Sequence, residues 1–235
     1  MVKPGSATGT KIYQLFRSVT INSMIRIASP TELQRAATYL SKHDPILKPV
    51  IARAGLSTIT PHKNYYWKLI ESIISQQLSV KAADTIEGRF KALFNEALPS
   101  PEAILAVPLE QLRAAGLSGA KANYIRDLAQ HVLDGKLKFD HFDGLSNNEI
   151  IAELIAVKGI GEWTAHMFLM FCMGRLDILA TGDLGIRNGI RALYGLADAP
   201  SPEQVKAVAR ANHWHPYESV ACWYVWHSLD NKPAL

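Results

Sequence analysis

The sequence lacks features that define several protein classes. Only two cysteines, Cys172 and Cys222, occur among 235 residues, so the chain cannot build a disulfide framework or, alone, a four-cysteine site for zinc or an iron–sulfur cluster. It also has no run of the roughly twenty apolar residues that a membrane-spanning helix needs. We therefore expect an intracellular protein with reduced thiols, no iron–sulfur cluster and no membrane partner.

Acidic residues are missing from the beginning of the chain. The first 26 residues include four basic residues and no acidic one. This composition favours a flexible basic extension over residues 1–28, with a targeting segment or a start-site artefact as alternatives. The remaining residues, 29–235, are expected to form the folded domain.

The overall charge is modestly positive. The chain carries 25 basic and 21 acidic residues, for a net charge of +4 and an isoelectric point near 9.0. This balance favours a polyanionic partner without requiring one. The hydrophobic content of 48% is sufficient for a substantial core.

Convincing alternating strand patterns are absent, whereas helix-capping signals recur. Ser29 to Glu32, Ser146 to Glu149 and Ser201 to Gln204 each place a hydroxyl three residues before a carboxylate or carboxamide. Apolar residues such as Ile150 and Leu154 follow at helical spacing. An all-α fold is therefore predicted, with helices near 30–41, 44–54, 64–76, 79–95, 101–106, 108–115, 119–134, 147–156, 161–173, 184–194, 202–212 and 216–229.

A very short connection joins two of these helices. Lys158-Gly159-Ile160-Gly161 lies between two apolar helical segments, and both glycines can adopt the positive φ that a tight turn needs. The second helix begins at Gly161 or Glu162, where its first backbone N–H groups are free to face a phosphate. The pattern predicts a helix, a hairpin turn and a second helix.

Three separated motifs together carry a family resemblance. They are the turn Val157 to Gly161 followed by Trp163-Thr-Ala, the segment Thr181-Gly-Asp183-Leu-Gly-Ile, and the stretch Ser72 to Ala83. In this order they resemble the helix-hairpin-helix DNA glycosylases, and most closely the DNA-3-methyladenine glycosylase II (AlkA-type) branch, over residues 31–226. The resemblance implies a two-lobed helical fold with the active site between the lobes. The terminal helices would form one lobe and the middle helices the other. Members of this branch often carry an extra N-terminal α/β domain, but the first predicted helix begins at residue 30 here, so we expect the compact form without it.

Asp183 is the predicted catalytic residue. Cleavage of an N-glycosidic bond builds positive charge on the deoxyribose, and a nearby carboxylate stabilises that charge and can orient the attacking water. From its neighbours alone, Asp183 could equally be an ordinary helix N-cap. Asp177 is a second, weaker candidate, because its context is typical of a turn.

Trp163 indicates which chemistry is absent. The resemblance implies that bifunctional members carry a lysine here, whose amine attacks the sugar and allows strand cleavage. Tryptophan cannot form a Schiff base. The implied enzyme is monofunctional, uses water, needs no cofactor for catalysis and leaves an abasic site.

Aromatic side chains are expected to select the base. A ring-alkylated base is cationic, so an indole face attracts it by stacking and cation–π interaction. The resemblance assigns Trp226 to the pocket, with Trp163 on the opposite side and Tyr66, His166 and Met167 as further walls. Met167 stands where the family pattern leads us to expect an aromatic residue. The alternative is that the aromatic residues of the last helix, Trp223, Tyr224 and Trp226, are core residues.

A flipped base leaves a gap in the duplex that the protein must fill. Aligned on Ser75 to Ser79, the family's intercalating position falls at Gln77, with Leu78 adjacent. Either could be the wedge. The alternative is that this stretch is an ordinary helix–helix turn capped by Ser79.

The hairpin, Lys158, Gly159, Ile160 and Gly161, is the predicted site for the DNA backbone, with Lys121 and Arg187 as nearby cations. The resemblance further implies a structural monovalent cation, Na⁺ or K⁺. Backbone carbonyls of Ile155, Val157 and Ile160 would bind it, and it would bridge to a phosphate.

These features lead to a functional hypothesis. The chain is expected to be a monomeric, monofunctional DNA glycosylase that removes 3-methyladenine and 7-methylguanine from double-stranded DNA. It would act in the cytoplasm or nucleoid of a bacterium, or in the nucleus of a eukaryote. The alternatives are a glycosylase for a deaminated, oxidised or ring-methylated base, and a non-catalytic helix-hairpin-helix DNA-binding protein.

Overall fold

The computed structural model describes residues 25–95 and 97–229, and this part of the chain is helical. It contains no strand, only an isolated antiparallel bridge between Ile27 and Arg175, and none of its helices is long and apolar enough to cross a membrane. The all-α prediction is confirmed. The helices are α1 Pro30–His43, α2 Leu47–Ala54, α3 Tyr65–Ser75, α4 Val80–Ala92, α5 Pro101–Ala106, α6 Leu109–Ala114, α7 Gly119–Leu133, α8 Asn147–Ile155, α9 Glu162–Met167, α10 Leu184–Leu193, α11 Pro202–Ala211 and α12 Glu218–Ser228, with a 3₁₀ helix at Phe139–Gly144.

Local capping chemistry sets the beginnings of these helices. The Ser29 hydroxyl accepts a hydrogen bond from the backbone N–H of Glu32 at 3.2 Å, and Pro30 occupies the first turn of α1. Reciprocal capping boxes begin α8 and α11. The predicted helix starts at these three serines are therefore confirmed.

The helices form two groups, within each of which they pack against one another. Helix α12 packs on α1, α2 and α10, so both ends of the described chain contribute to one group. Helix α7 packs on α3, α5 and α6, and α3 also packs on α4, which makes the second group from the middle helices. Both cysteines are buried and free, and burial raises the pKa of each thiol to about 12.

The first described residues are fastened to the core. The N–H of Ala28 donates to the Gly174 carbonyl at 2.8 Å, and the N–H of Leu176 donates to the Arg26 carbonyl at 3.0 Å. The predicted basic extension, residues 1–28, thus ends in a segment that pairs with the body of the protein. Residues 1–24 of that extension, and residues 230–235, lie outside the described part.

The predicted helix 161–173 is two elements rather than one. Helix α9 ends at Met167, and Phe168–Cys172 forms a π-helical turn, in which the N–H of Met173 reaches the carbonyl of Phe168 at 3.0 Å. This wider turn buries Leu169 and Met170 completely. Tertiary packing therefore determines the backbone conformation of this segment. Helical periodicity alone predicts one continuous α-helix here.

Asp44 organises the terminal group of helices. Its carboxylate is fully buried and accepts hydrogen bonds at 2.9 Å from the backbone N–H groups of Ile46 and Leu47. The Trp214 indole N–H, at 2.8 Å, and the Tyr194 hydroxyl donate to the other oxygen. Asp44 thus holds the turn that precedes α2, and this helix begins at Leu47 rather than at the predicted residue 44.

We expect Asp44→Ala to lower the free energy of unfolding by about 3 kcal/mol or more, because it leaves four donors without their acceptor. Urea denaturation would measure the loss. Asp198, which is exposed, provides the control: Asp198→Ala should change the free energy by less than about 0.5 kcal/mol. Equal stability of the two variants would contradict the role given to Asp44.

Candidate active site

Asp183 lies at the N-terminus of α10. Its Oδ1 atom accepts a hydrogen bond from the backbone N–H of Ile186 at 2.7 Å, which makes it the N-cap of that helix. The side chain is nearly buried, with 9% of the residue exposed. The N-cap interpretation of Asp183 is therefore correct, and it is compatible with a catalytic role, because capping uses one carboxylate oxygen.

Two indole N–H groups complete the environment of this carboxylate. Trp163 Nε1 donates to Asp183 Oδ2 at 2.7 Å, and Trp226 Nε1 donates to Asp183 Oδ1 at 2.9 Å. Trp163 belongs to α9 and Trp226 to α12. Three helices therefore meet at one carboxylate and fix its orientation.

A close approach of α10 to α12 makes this arrangement possible. A Cβ atom on Gly185 would lie 2.8 Å from Trp226 Nε1 and 3.1 Å from Asp183 Oδ1. A Cβ atom on Gly189 would lie 2.4 Å from Val225 Cγ1. Only glycine fits these two positions without moving α12. Gly185 stands in the Asp183 motif, but the sequence alone gave no indication of this contact.

The two tryptophans at the carboxylate differ in exposure. Trp163 is 51% exposed, whereas Trp226 is only 6% exposed and packs against Phe171 with ring centroids 5.7 Å apart. Trp226 therefore offers little surface to solvent, and its assignment to the pocket wall stays a prediction. Its ring is buried and its N–H holds Asp183, which leaves Trp163 as the exposed aromatic surface.

The other aromatic residues of α12 belong to the core. Trp223 and Tyr224 are buried, and Trp223 stacks on His227 with ring centroids 3.6 Å apart. The alternative interpretation of these two residues as core aromatics is thus confirmed.

His166 and Met167 lie one turn after Trp163 and are half-buried. Burial lowers the pKa of His166, and Glu162, 3.8 Å away, opposes that shift. Met167 packs against the core. Both residues lie on α9, as Trp163 does, so the structure places these three predicted site residues on one helix.

Tyr66 lies elsewhere, on α3. Its ring is 6.3 Å from that of Phe139, and burial, with a smaller contribution from Glu102, raises its pKa. Within the described residues, no hydrogen bond, ion pair or ring contact joins Tyr66 to Asp183. The structure therefore groups Tyr66 with Phe139 rather than with the carboxylate.

Two other residues near the motif have clear positions. Leu184 is exposed directly beside Asp183, and we did not single it out from the sequence. Asp177 interacts electrostatically with Arg175 and Glu218, and neither indole N–H that reaches Asp183 donates to it. This placement argues against Asp177 as the catalytic residue.

The hairpin uses its two glycines differently. Gly159 has a φ of +84°, whereas Gly161 has a φ of −96° and serves as the N-cap of α9. Of the two glycines that could supply a positive φ to the turn, only Gly159 does so. A Cβ atom on Gly159 would lie 2.1 Å from the ring of Tyr124, while one on Gly161 would have no neighbour within 4 Å.

We expect Gly159→Ala to disrupt the hairpin, because it adds a steric collision to a left-handed conformation that costs an L-residue about 1–2 kcal/mol. Affinity for undamaged duplex DNA should fall at least about tenfold. Gly161→Ala is the matched control and should retain the affinity. Equal effects in a fluorescence anisotropy titration would contradict this distinction.

The predicted cations near the hairpin have separate functions. The Lys158 side chain is 78% exposed, with Nζ 3.6 Å from Asp127 Oδ1, and its backbone N–H donates to Asp127 Oδ2 at 2.9 Å. Lys121 Nζ instead donates to two backbone carbonyls, and Arg187 Nε donates to the Pro200 carbonyl at 2.7 Å. Lys121 and Arg187 are thus engaged within the protein, and Lys158 remains the phosphate candidate.

The predicted wedge lies in the loop between α3 and α4. Gln77 has a φ of +57°, a conformation that is strained for a residue other than glycine and is often found at functional loops. Gln77 and Leu78 are both exposed, as is Val80. The preceding residue, Gln76, contacts the hairpin by donating from Nε2 to the Gly159 carbonyl at 2.9 Å, which the sequence did not reveal.

The predicted cation site consists of backbone carbonyls at the end of α8 and in the hairpin that follows it. Within the described residues, the Val157 carbonyl accepts a hydrogen bond from Ile160 N–H at 3.1 Å, whereas no backbone N–H of a turn, loop or cap donates to the Ile155 or Ile160 carbonyl. Carbonyl oxygens are suitable ligands for a hard cation. The three carbonyls therefore fit a monovalent cation in their chemistry.

Comparisons with known proteins agree with this geometry. The family described as HhH-GPD superfamily base excision DNA repair protein matches residues 70–212. The DNA-3-methyladenine glycosylase 1 of Schizosaccharomyces pombe is 34% identical over 201 residues, which cover 83% of this chain and 87% of the relative.

Two solved structures are also similar. A DNA-3-methyladenine glycosidase from Bacillus halodurans superposes with a TM-score of 0.74 at 38% identity, covering 87% of this chain and 91% of that one. The Schizosaccharomyces pombe 3-methyladenine DNA glycosylase Mag1, solved with abasic DNA, gives 0.72 at 34% identity and covers 82% and 95%. The chain belongs to the HhH-GPD superfamily of base excision DNA repair proteins.

Proposed function

We propose that this protein is a monofunctional DNA glycosylase that removes alkylated bases, 3-methyladenine and 7-methylguanine, from double-stranded DNA. The observation that carries the proposal is the Asp183 carboxylate, which two indole N–H groups and a helix N-terminus hold in place. The names of the similar proteins point to the same substrate class.

Asp183 supplies the electrostatic part of the reaction. As the bond from the sugar to the base breaks, positive charge develops on the deoxyribose, and the fixed carboxylate stabilises it without reorganisation. The same carboxylate can orient the water that attacks the sugar. The base departs with the bonding electron pair, which neutralises the charge of an alkylated base, so no general acid is required.

Trp163 supplies the aromatic surface for the base. Its ring is half-exposed, and its N–H is directed at Asp183. An exposed indole beside a carboxylate suits a flipped, cationic base, because stacking and cation–π attraction act on the base while the carboxylate acts on the sugar. Leu184, which directly follows Asp183 and is exposed, adds apolar surface next to the carboxylate.

DNA binding is assigned to two loops. The hairpin from Lys158 to Gly161 would hold a phosphate, together with a monovalent cation on the carbonyls of Ile155, Val157 and Ile160. Gln77 or Leu78 would enter the duplex where the base leaves it. The exposed, strained loop at these residues supports this assignment.

The absence of lyase activity follows from the residue at position 163. An indole cannot form the Schiff base through which an amine allows strand cleavage. The protein should therefore leave an intact strand with an abasic site. It would act as a monomer, in the cytoplasm or nucleoid of a bacterium or in the nucleus of a eukaryote.

A panel of duplexes tests the substrate class. Each duplex carries one lesion: 3-methyladenine, 7-methylguanine, hypoxanthine, uracil or 8-oxoguanine. We expect rapid release of the two methylated bases and much slower release of the others. Preferential release of hypoxanthine, uracil or 8-oxoguanine would favour the other-lesion hypothesis, and binding without any release would favour a non-catalytic protein.

A further inference from the structure

Helix α7 presents three side chains to the two loops assigned to DNA. Lys121, Tyr124 and Asp127 follow one another at intervals of three residues, which places them along one side of the helix. Tyr124 packs at Gly159, where only a glycine fits. Asp127 accepts the backbone N–H of Lys158 at 2.9 Å, so α7 fixes two consecutive residues of the hairpin.

Lys121 contacts the other loop. Its Nζ atom donates to the carbonyl of Ile74 at 2.8 Å and to that of Gln76 at 2.6 Å. These carbonyls end α3, where the helix dipole is negative and a cation is stabilising. The contact fixes the chain directly before Gln77 and Leu78, the two wedge candidates.

Gln76 connects the two loops. Its backbone carbonyl accepts the hydrogen bond from Lys121, and its side-chain Nε2 donates to the Gly159 carbonyl at 2.9 Å. The path from Lys121 through Gln76 to Gly159 is therefore continuous, and its ends are the wedge loop and the hairpin.

We infer that Lys121 is a positioning residue for base flipping, which acts through Gln76 by fixing the wedge loop relative to the hairpin. The inference rests on the proposed function. Flipping a base costs a few kcal/mol, so the wedge must enter at a defined distance from the phosphate that the hairpin holds. A displacement of about 1 Å in a positioned group can cost about 10²-fold in rate.

The same helix offers a matched control. Arg126 Nη1 donates to the carbonyls of Leu105 at 3.2 Å and Val107 at 2.9 Å. It is also a cation on α7 that binds backbone carbonyls at the end of a helix, but that helix is α5, which bears neither loop. Lys121→Met and Arg126→Met therefore remove similar interactions from different places.

The experiment compares both variants at a temperature where urea denaturation shows each to be fully folded. We expect Lys121→Met to slow single-turnover release of 7-methylguanine about tenfold or more. It should also reduce the fluorescence increase of 2-aminopurine placed beside the lesion, which reports unstacking. Arg126→Met should match the wild type in both measurements. Equal rates for the two variants would overturn the inference.

Salt dependence separates positioning from phosphate binding. A lysine that neutralises a phosphate contributes about one unit to the slope of log K against log salt. Lys121→Met should keep the wild-type slope, whereas Lys158→Met should lose about one unit. A less steep slope for Lys121→Met than for the wild type would show that Lys121 binds a DNA phosphate, and would contradict its role as a positioning residue. If the wild type releases no base, the proposed function fails, and the 2-aminopurine signal alone decides the inference.

Discussion

Asp183→Asn should abolish base release, lowering the single-turnover rate by about 10³-fold or more. The substitution removes the charge that stabilises the sugar, and its amide NH₂ must face one of the indole N–H donors. Asparagine remains an effective N-cap, so α10 should keep its start at Leu184. We therefore expect the variant to fold normally and to bind lesion-containing duplex with nearly the affinity of the wild type.

Asp177→Asn is the matched control for this experiment. Asp177 lies six residues earlier and interacts with Arg175 and Glu218 rather than with either indole at the candidate site. The rate at which Asp177→Asn releases the base should remain within about threefold of the wild-type rate, at a temperature where the variant is folded. If Asp177→Asn lost base release while Asp183→Asn retained it, Asp177 rather than Asp183 would be the catalytic residue.

Substitutions of Trp163 should separate its two contributions. Trp163→Phe keeps an aromatic ring but removes the N–H that holds Asp183 Oδ2. Because a hydrogen bond to a charged group contributes about 1.5–3 kcal/mol, we expect release to slow by about 10-fold to 100-fold, with lesion binding retained. Trp163→Ala also removes the ring and should lower the rate further by up to about tenfold.

The choice of lesion tests the cation–π part of this account. Trp163→Ala should reduce release of cationic 7-methylguanine more than release of neutral hypoxanthine, since only the former is attracted by the charge distribution of the ring. Trp223→Phe is the control, because Trp223 stacks on His227 within the core and should not change the preference between the two bases. Equal losses on both lesions in Trp163→Ala would contradict the cation–π contribution.

The helical framework could be predicted from the sequence because its signals are local. A serine followed three residues later by a carboxylate or carboxamide defines a helix start without reference to the rest of the chain, as at Ser146 and Ser201. The π-helical turn after Met167 could not be predicted in this way, because packing of Leu169 and Met170 in the core determines it.

The candidate site could be predicted only in part, for a similar reason. The motif identifies Asp183, but its hydrogen bonds to Trp163 and Trp226 depend on three helices meeting. Burial distinguishes the two tryptophans, and local sequence patterns do not show which of the two is buried. Lys121 resembles any exposed lysine in the sequence, and only the structure shows it bound to the carbonyls at the end of α3.

The most direct test of the central claim is a single-turnover time course with a duplex that carries one 7-methylguanine. Released base and strand length are measured together. The account predicts free 7-methylguanine in solution and an unbroken strand that alkali then cleaves at the abasic site. Stable binding of the wild type to this duplex, with the base still attached throughout the time course, would contradict it.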